Sequence, residues 1–457
     1  MGDALKKLKK LRGRSADELR VRAAQAAAAY AERRGWSRDA REPSDQKFFA
    51  LLDPARVSSF DEKTNKNGRA TLTAERLLAH FRSRTAPKFF AALDDPQATR
   101  RLLRERFSNE SEAVERARRI TQGCFSLLGF DDLSFGDPVD WHLEPVSRKR
   151  APLAHWSRIN YLDAQVLGDK KITWELNRHQ YFQTLGRAYW LTGDELFART
   201  FAAHLAGWMD ANPPKLGINW ASSLEVAFRS MAWLWALHLF KDSASLTPAL
   251  YLRALKFLHL HARHLETYLS TYFSPNTHLT GEALGLFHLG LLLPEFRRAA
   301  RWRDLGASVL TSELERQVRN DGTYFEQTTY YARYTADFYT HFLLLARAND
   351  FKLEARVERK LAALVEFLMF ATRPDGRAPL FGDDDGGRLA WLDDTPRDDF
   401  RPALSTAAAL FSRPDFKSVA GRAFEETLWL AGPAGLPSGR PSGDPDRLRS
   451  NRSPIPR

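Results

Sequence analysis

The sequence predicts an all-α fold built from antiparallel helical hairpins. Apolar residues recur at helical spacing through nine segments, short turns rich in Gly, Pro, Asn and Asp connect the later segments, and no sustained strand alternation occurs between residues 177 and 370. The 457 residues are 44% hydrophobic and 12% aromatic. This composition excludes a disordered or fibrous chain and suffices for a large core.

Successive helices of this kind can close into an (α/α) toroid or stack into an open solenoid. No fixed-period repeat consensus is found, and aromatic residues crowd the loop ends, so we expect a toroid with a cleft at one mouth. The predicted helical segments, in chain order, are 71–84, 181–191, 194–209, 222–240, 247–268, 280–292, 296–318, 330–348 and 353–370.

The chain divides into four predicted parts, of which three follow from composition. Residues 1–128 are helical and basic and are expected to form an N-terminal arm that packs against the toroid. Residues 129–415 are expected to form the toroid, beginning with an irregular aromatic stretch. Residues 432–457 are rich in Pro, Gly, Ser and Arg without periodicity, which predicts a disordered tail.

Charge and cysteine content limit the possible partners. The net charge of +12 favours an anionic partner, which can be a nucleic acid, an acidic polysaccharide or a membrane surface. No nucleic-acid module and no membrane span are recognised. The single Cys124 excludes a disulfide framework and a cysteine-based zinc site. The basic N-terminus has no apolar region of a secretory signal, which favours the cytoplasm.

Two polar motifs lie at predicted helix starts in the first half of the toroid. The stretch 174–180 carries Asn177, Arg178 and His179, which are either capping and surface groups or lining of a cleft. In the stretch 219–229, Glu225 and Arg229 are four residues apart and are expected to share one helical face. They form either an ordinary ion pair or a pair in which Arg229 receives a substrate carboxylate and Glu225 orients it.

Two further motifs combine turn residues with groups suited to acid and base chemistry. Asn276 precedes a helix that carries His278 and Glu282, so the motif is either a cap with a surface contact or a carboxylate site assisted by the helix dipole. The stretch 321–334 holds four tyrosines around a helix start. A tyrosine stripe usually packs, although one member can serve as an acid or base.

A run of three aspartates, 383–385, is flanked by glycines. Consecutive carboxylates can bind calcium, but the spacing does not match an EF-hand. A solvated, capping or arginine-paired loop is therefore expected, and no metal site is assigned.

Together, WELNRHQ at 174, NWASSLEVAFR at 219, SPNTHLTGEALGLF at 274, DGTYFEQTTYYARYT at 321 and FGDDDGGR at 381 resemble the heparinase II/III-like family of polysaccharide lyases, over residues 140–388. The resemblance implies cleavage of a uronic-acid glycan by β-elimination, without a cofactor. It assigns Asn276 and His278 to neutralisation of the substrate carboxylate, His278 also as a possible base, and Tyr331 to base and acid, with Tyr330 as the alternative phenol. The implied substrate-binding residues are Asn177, Arg178, His179, Trp220, Glu225, Arg229, Glu282, Glu326 and Tyr330.

Family enzymes continue into a C-terminal β-sandwich that supplies a further catalytic histidine and often a metal site. By this resemblance, residues 416–431 are the start of a β-sandwich that is missing here, and the chain holds half a site. A non-catalytic anionic-glycan-binding protein of a polysaccharide biosynthesis cluster is therefore an alternative. A toroidal hydrolase that uses Glu225 and Asp383 is a third. A polysaccharide substrate argues instead for the periplasm or an export pathway, so the compartment stays open, and the sequence predicts no oligomeric state.

Overall fold

A computed structural model of the chain describes residues 13–57, 72–107, 110–384 and 388–436. The α-helices in these ranges are α1 (Ala16–Arg33), α2 (Asp45–Phe49), α3 (Ala74–Ser83), α4 (Pro96–Arg106), α5 (Glu110–Thr121), α6 (Ala164–Leu167), α7 (Lys170–Asn177), α8 (Tyr181–Thr192), α9 (Glu195–Ala211), α10 (Ser223–Leu239), α11 (Pro248–Tyr268), α12 (Thr277–Leu292), α13 (Ala299–Gln317), α14 (Thr329–Ala348), α15 (Ala355–Ala371), α16 (Arg401–Phe411), α17 (Pro414–Ala420) and α18 (Glu425–Ala431). Two short antiparallel pairs join β1 (Cys124–Leu127) to β2 (Phe130–Ser134) and β3 (Leu143–Glu144) to β4 (Lys149–Arg150).

The inner wall of the fold consists of parallel helices. Gly281 and Gly285 of α12 face Leu224 and Ala227 of α10, so residue numbers rise together along the two helices. Helix α14 runs parallel to α12, because Gly281 faces Phe338 and, further along both helices, Phe287 and Phe342 lie 4.7 Å apart between ring centroids. Helix α8 runs the same way, since Arg178 just before it pairs with Glu225 near the start of α10 and Gly186 packs on Leu239 at the end of α10. The N-terminal ends of α8, α10, α12 and α14 therefore lie at one mouth of the ring.

The outer helices run in the opposite direction. Ser230 of α10 contacts His261 of α11, and nearer the start of α10 the Ser223 hydroxyl donates to the carbonyl of Tyr268. The α12–α13 pair approaches closely at glycines, since a Cβ atom at Gly306 would lie 2.6 Å from the carbonyl oxygen of Ala283. These antiparallel pairs confirm the predicted toroid of helical hairpins.

Helix α18 closes the ring between α8 and α14. Glu425 pairs with Arg187 of α8 at 2.7 Å, and Glu426 pairs with Arg333 of α14 at 3.3 Å. The assignment of residues 416–431 to the start of a β-sandwich is therefore wrong. These residues form the end of α17 and all of α18, which bury Leu428 and Trp429 against the toroid.

The other mouth is plugged by the N-terminal portion of the chain. Phe90, which follows α3, stacks on Trp235 near the end of α10 with ring centroids 4.9 Å apart. The same ring meets His341 of α14 at 4.7 Å. The N-terminal portion thus fills the C-terminal side of the ring, and the open mouth is the one where the inner helices begin.

Two boundaries differ from the sequence prediction. Residue 128 falls inside the turn between β1 and β2, so a β-hairpin joins the arm to the toroid. Its strands are too short and irregular to be recognised in the sequence. At the other end, residues 432–436 are ordered against Ala91 and include a short 3-10 helix, Pro433–Gly435. The remainder of the predicted disordered tail, 437–457, lies outside the described residues.

Ring closure depends on a buried ionic cluster, which gives the first prediction. The Arg187 side chain is 2% exposed and donates to Glu425 and Asp394. Arg187→Met should lower the free energy of unfolding by about 3–5 kcal/mol, because the buried Glu425 loses its counter-charge and Asp394 keeps only Arg116. Arg373→Met, which breaks the exposed pair with Asp375, should cost about 1 kcal/mol or less. Equal losses for the two variants in urea titrations would contradict this account of closure.

Candidate functional site

The open mouth is lined by helix N-termini and their capping groups. Asn276 caps α12 by accepting the backbone N–H of His278 at 3.1 Å, and Thr328 caps α14 by accepting the N–H of Tyr331 at 2.8 Å. These caps satisfy donors that a helix start leaves unpaired. Because α12 and α14 are adjacent and parallel, Asn276 and Tyr331 lie at the same mouth.

Glu326 connects the two helix starts. Its Oε1 accepts from Asn276 Nδ2 at 2.8 Å, and its Oε2 accepts from the Thr277 backbone N–H at 3.2 Å. The Thr277 and Tyr324 hydroxyls also contact this carboxylate. The Asn276 amide is therefore held on one side by Glu326, while its Oδ1 contacts His278 Nδ1 at 3.1 Å. Glu326, expected to bind substrate, instead holds the protein's own groups.

Tyr331 and Tyr330 point into different environments. The partly exposed Tyr331 donates its hydroxyl to Asp383 Oδ2 at 3.2 Å. Tyr330 is 3% exposed and lines a small cavity of about 10 Å³ together with Arg333, Tyr334 and Arg388. A space of that size holds about one water molecule and cannot admit a sugar ring. Of the two phenols, Tyr331 is the one placed at the open mouth.

Glu282 lies beneath the loop that carries Asn276 rather than in a cleft. It is 1% exposed and accepts the N–H and hydroxyl of Ser270 at 2.7 and 2.6 Å. Burial raises the pKa of Glu282 to about 8, against the opposing effect of the Ser270 hydrogen bonds. The assignment of Glu282 to substrate contact is wrong in this structure, because its side chain is enclosed and anchors the 270–276 loop.

The predicted ion pair between Glu225 and Arg229 does not form. Glu225 instead accepts two hydrogen bonds from Arg178, at 2.6 and 3.0 Å, and Glu175 accepts a third at 2.9 Å. Burial alone would lower the pKa of Arg178, but the Glu225 and Glu175 charges outweigh it and raise the pKa well above its ordinary value. Arg178 is 6% exposed and Glu225 3%, so this triad braces the mouth from below and does not line it.

Arg229 is fully enclosed, with 0% exposure. Its guanidinium lies 4.3 Å from the Trp208 ring centre and donates to the carbonyl of Asn219 at 2.9 Å. Burial lowers its pKa to about 9, and Glu225 opposes that shift. The prediction that Arg229 receives a substrate carboxylate is wrong in this structure. Three other residues predicted to line the cleft are also 0% exposed and do not line it in this structure: Asn177, His179 and Trp220.

Residues 378–384 lie against the start of α14, and residues 388–399 lie against α8 and the turn before it. The N–H of Thr329 donates to Phe381 at 3.2 Å, Gln180 Nε2 donates to Leu389 at 2.9 Å, and the N–H of Trp391 donates to Gln183 at 2.6 Å. Asp384 pairs with Arg397 at 3.5 Å. The described part of the aspartate loop is thus arginine-paired and hydrogen-bonded, whereas Asp385 lies outside the described residues.

Within the described ranges, no group of three His, Cys, Asp or Glu side chains is arranged to hold a metal ion. No helix there has the length and apolar character needed to cross a membrane.

The supporting groups of this mouth are not evident from the sequence. Tyr324 stands out there only as one of a tyrosine stripe, yet its buried hydroxyl contacts Glu326 and Gln317 at 3.0 Å each. The sequence marks Asp383 as part of an aspartate run and of a possible hydrolase pair, but not as a partner of Tyr331. Asp383 follows Tyr331 by about 50 residues, so no local sequence pattern indicates that the two side chains are in contact.

The arrangement is an amide and an imidazole at one helix start beside a phenol and a carboxylate at the next. The amide N–H groups and the helix dipole suit a carboxylate ligand, and the phenol and imidazole can move protons. Fold and mouth together define an (α/α) toroid protein with a polar site at the N-terminal ends of its inner helices.

The chain belongs to the heparinase II/III family, because the family model described as heparinase II/III N-terminus matches residues 48–396. A heparin-sulfate lyase of Pedobacter heparinus is 27% identical over 276 residues, which are 58% of this chain and 37% of that protein. One from Bacteroides stercoris is 25% identical over 342 residues, which are 70% of this chain and 46% of that protein. The chain therefore spans less than half the length of either relative.

Solved structures agree on the fold. The crystal structure of heparinase III superposes with a TM-score of 0.61 at 20% identity and covers 85% of this chain and 56% of that one. The heparan sulfate lyase of Pedobacter heparinus gives 0.58 at 23% identity, with 85% and 56% covered. The predicted family resemblance and toroid fold are confirmed.

The enclosed Glu282 predicts a pH-dependent stability difference. The folded protein keeps a proton on Glu282 up to about pH 8, whereas the unfolded chain releases it near the ordinary pKa of 4.5. Stability contributed by the protonated group is therefore lost as pH rises from about 4.5 to 8. Glu282→Gln should remove this loss and gain about 4 kcal/mol relative to wild type as the pH rises from 5 to 9. A pH-independent difference in urea titrations would contradict the buried, protonated state.

Proposed function

We propose that this chain is the toroid portion of a polysaccharide lyase that cleaves a uronic-acid polysaccharide by β-elimination. The observation that carries the proposal is the placement of Asn276 and Tyr331 at one mouth, at the starts of adjacent inner helices. The net charge of +12 suits an acidic glycan. The relatives named above are heparin-sulfate lyases, which makes heparan sulfate the first substrate to test.

The reaction divides into tasks that these residues can perform. The Asn276 amide, at the positive end of α12, binds the uronate carboxylate and so stabilises the charge that develops when the C5 proton leaves. His278 assists at the carboxylate or accepts the proton, and the Tyr331 phenol serves as base and acid. As the C5–H bond breaks, a C4–C5 double bond forms, the C4–O bond breaks, and the departing glycosidic oxygen takes a proton.

Tyr331 can be tested against its neighbour. Wild type should generate the ultraviolet absorbance of an unsaturated uronate from heparan sulfate or another uronic-acid polysaccharide. Tyr331→Phe should lower kcat by at least about 100-fold, because the proton-transferring hydroxyl is lost. The matched Tyr330→Phe removes a hydroxyl from an enclosed cavity and should stay within about threefold of wild type.

Two outcomes would overturn parts of this proposal. A larger loss in Tyr330→Phe than in Tyr331→Phe would reassign the phenol. If a broad panel of uronic-acid polysaccharides yields no unsaturated product, catalysis by this chain fails. Binding of the same polysaccharides that is unchanged in Tyr331→Phe would then support the non-catalytic glycan-binding alternative.

A further inference from the structure

The orientation of the Asn276 amide is fixed from both ends. Its Oδ1 accepts the backbone N–H of His278 at 3.1 Å, and a backbone N–H can only donate. Its Nδ2 lies 2.8 Å from Glu326 Oε1, and an ionised carboxylate can only accept. Both contacts demand the same orientation, with the amide NH₂ toward Glu326 and the oxygen toward His278.

The position of the amide oxygen determines the tautomer of His278. Nδ1 of that ring lies 3.1 Å from Asn276 Oδ1, and an amide oxygen accepts but does not donate. A hydrogen bond at this contact therefore requires the proton on Nδ1. In the neutral imidazole, Nε2 then carries the lone pair and is the nitrogen able to accept a proton.

The Glu326 carboxylate is itself held by more than the amide. Its Oε2 receives the Thr277 N–H at 3.2 Å and lies 3.0 Å from the hydroxyl of Tyr324. Oε2 is thereby committed to the start of α12, and Oε1 is left facing Asn276. The carboxylate cannot turn away from the amide without losing these donors.

From this chain of contacts we propose that Glu326 is a positioning residue. Its carboxylate orients the Asn276 amide, and the amide oxygen in turn selects the Nδ1–H tautomer of His278. The catalytic consequence of this arrangement rests on the proposed lyase function. With the tautomer set, the second amide N–H of Asn276 can bind a uronate carboxylate, and His278 Nε2 is the basic nitrogen beside it.

Glu326→Gln should shift the tautomer equilibrium of His278 toward Nε2–H. The Thr277 N–H still needs an acceptor, so the new carbonyl oxygen takes the Oε2 position and the new NH₂ faces Asn276. Two facing NH₂ groups repel, so only the backbone N–H of His278 still holds the Asn276 amide in its original orientation. The flipped amide, which presents its own NH₂ to His278 Nδ1 and favours the Nε2–H tautomer, therefore gains population.

The test is ¹⁵N NMR of the histidine rings in the full-length protein near pH 8, where a solvent-exposed imidazole is neutral. The His278 resonances are assigned by their absence in His278→Gln. Wild type should show Nδ1 protonated, and Glu326→Gln should shift the tautomer ratio toward Nε2–H by at least about tenfold. Tyr324→Phe is the matched control, since it removes a neighbour of Oε2 and leaves Oε1 in place, so its ratio should match wild type.

Several results would overturn the inference. One is a wild-type His278 with its proton on Nε2, a result that overturns the inference even if Glu326→Gln does not fold. The others are an unchanged tautomer ratio in Glu326→Gln and an equal shift of that ratio in Tyr324→Phe. Turnover is scored separately. An inactive wild type that shows the expected tautomers refutes the lyase proposal and leaves the inference standing, whereas full activity with unchanged tautomers in Glu326→Gln refutes the inference alone.

Discussion

The parallel direction of the inner helices is the constraint on which the site depends. Each helix start leaves backbone N–H groups unpaired and carries a partial positive charge, and here several starts meet at one mouth. Capping by Asn276 and Thr328 satisfies some of these donors and also fixes polar side chains at the rim. The opposite mouth collects helix C-terminal ends and is filled by Phe90 and its aromatic neighbours. A ring of this kind therefore has one side suited to an anionic ligand.

Beneath the mouth lies a layer of enclosed charges that support it without reaching it. Arg178 is neutralised by Glu175 and Glu225, whereas Arg229 rests on an indole ring and on backbone carbonyls. Burying a charged group costs free energy unless its hydrogen bonds are satisfied, so these side chains make most of their hydrogen bonds inside the protein. Among the described residues, the polar groups placed at the mouth include Asn276, His278, Tyr331 and Asp383.

Most of the fold could be predicted from the sequence, and the reasons for the exceptions are physical. Helical periodicity and turn residues predicted the hairpins, because local apolar spacing determines which face is buried. They did not predict α18, whose seven residues are too few to show a period and whose place in the ring is set by Arg187 and Arg333. Likewise, motif order located Asn276 and Tyr331, but burial cannot be read from a motif. Arg229 and Glu282 look like cleft residues in the sequence and are enclosed in the structure.

The central claim is that one uronate residue sits against both helix starts, with its carboxylate at Asn276 and its C5–H near Tyr331. The most direct measurement is a crystal structure of Tyr331→Phe soaked with a uronic-acid oligosaccharide from the most tightly bound polysaccharide. The account predicts a single sugar whose carboxylate lies within hydrogen-bonding distance of Asn276 Nδ2 and whose C5 faces the ring at position 331. An oligosaccharide bound with no sugar shared between these two positions would contradict it.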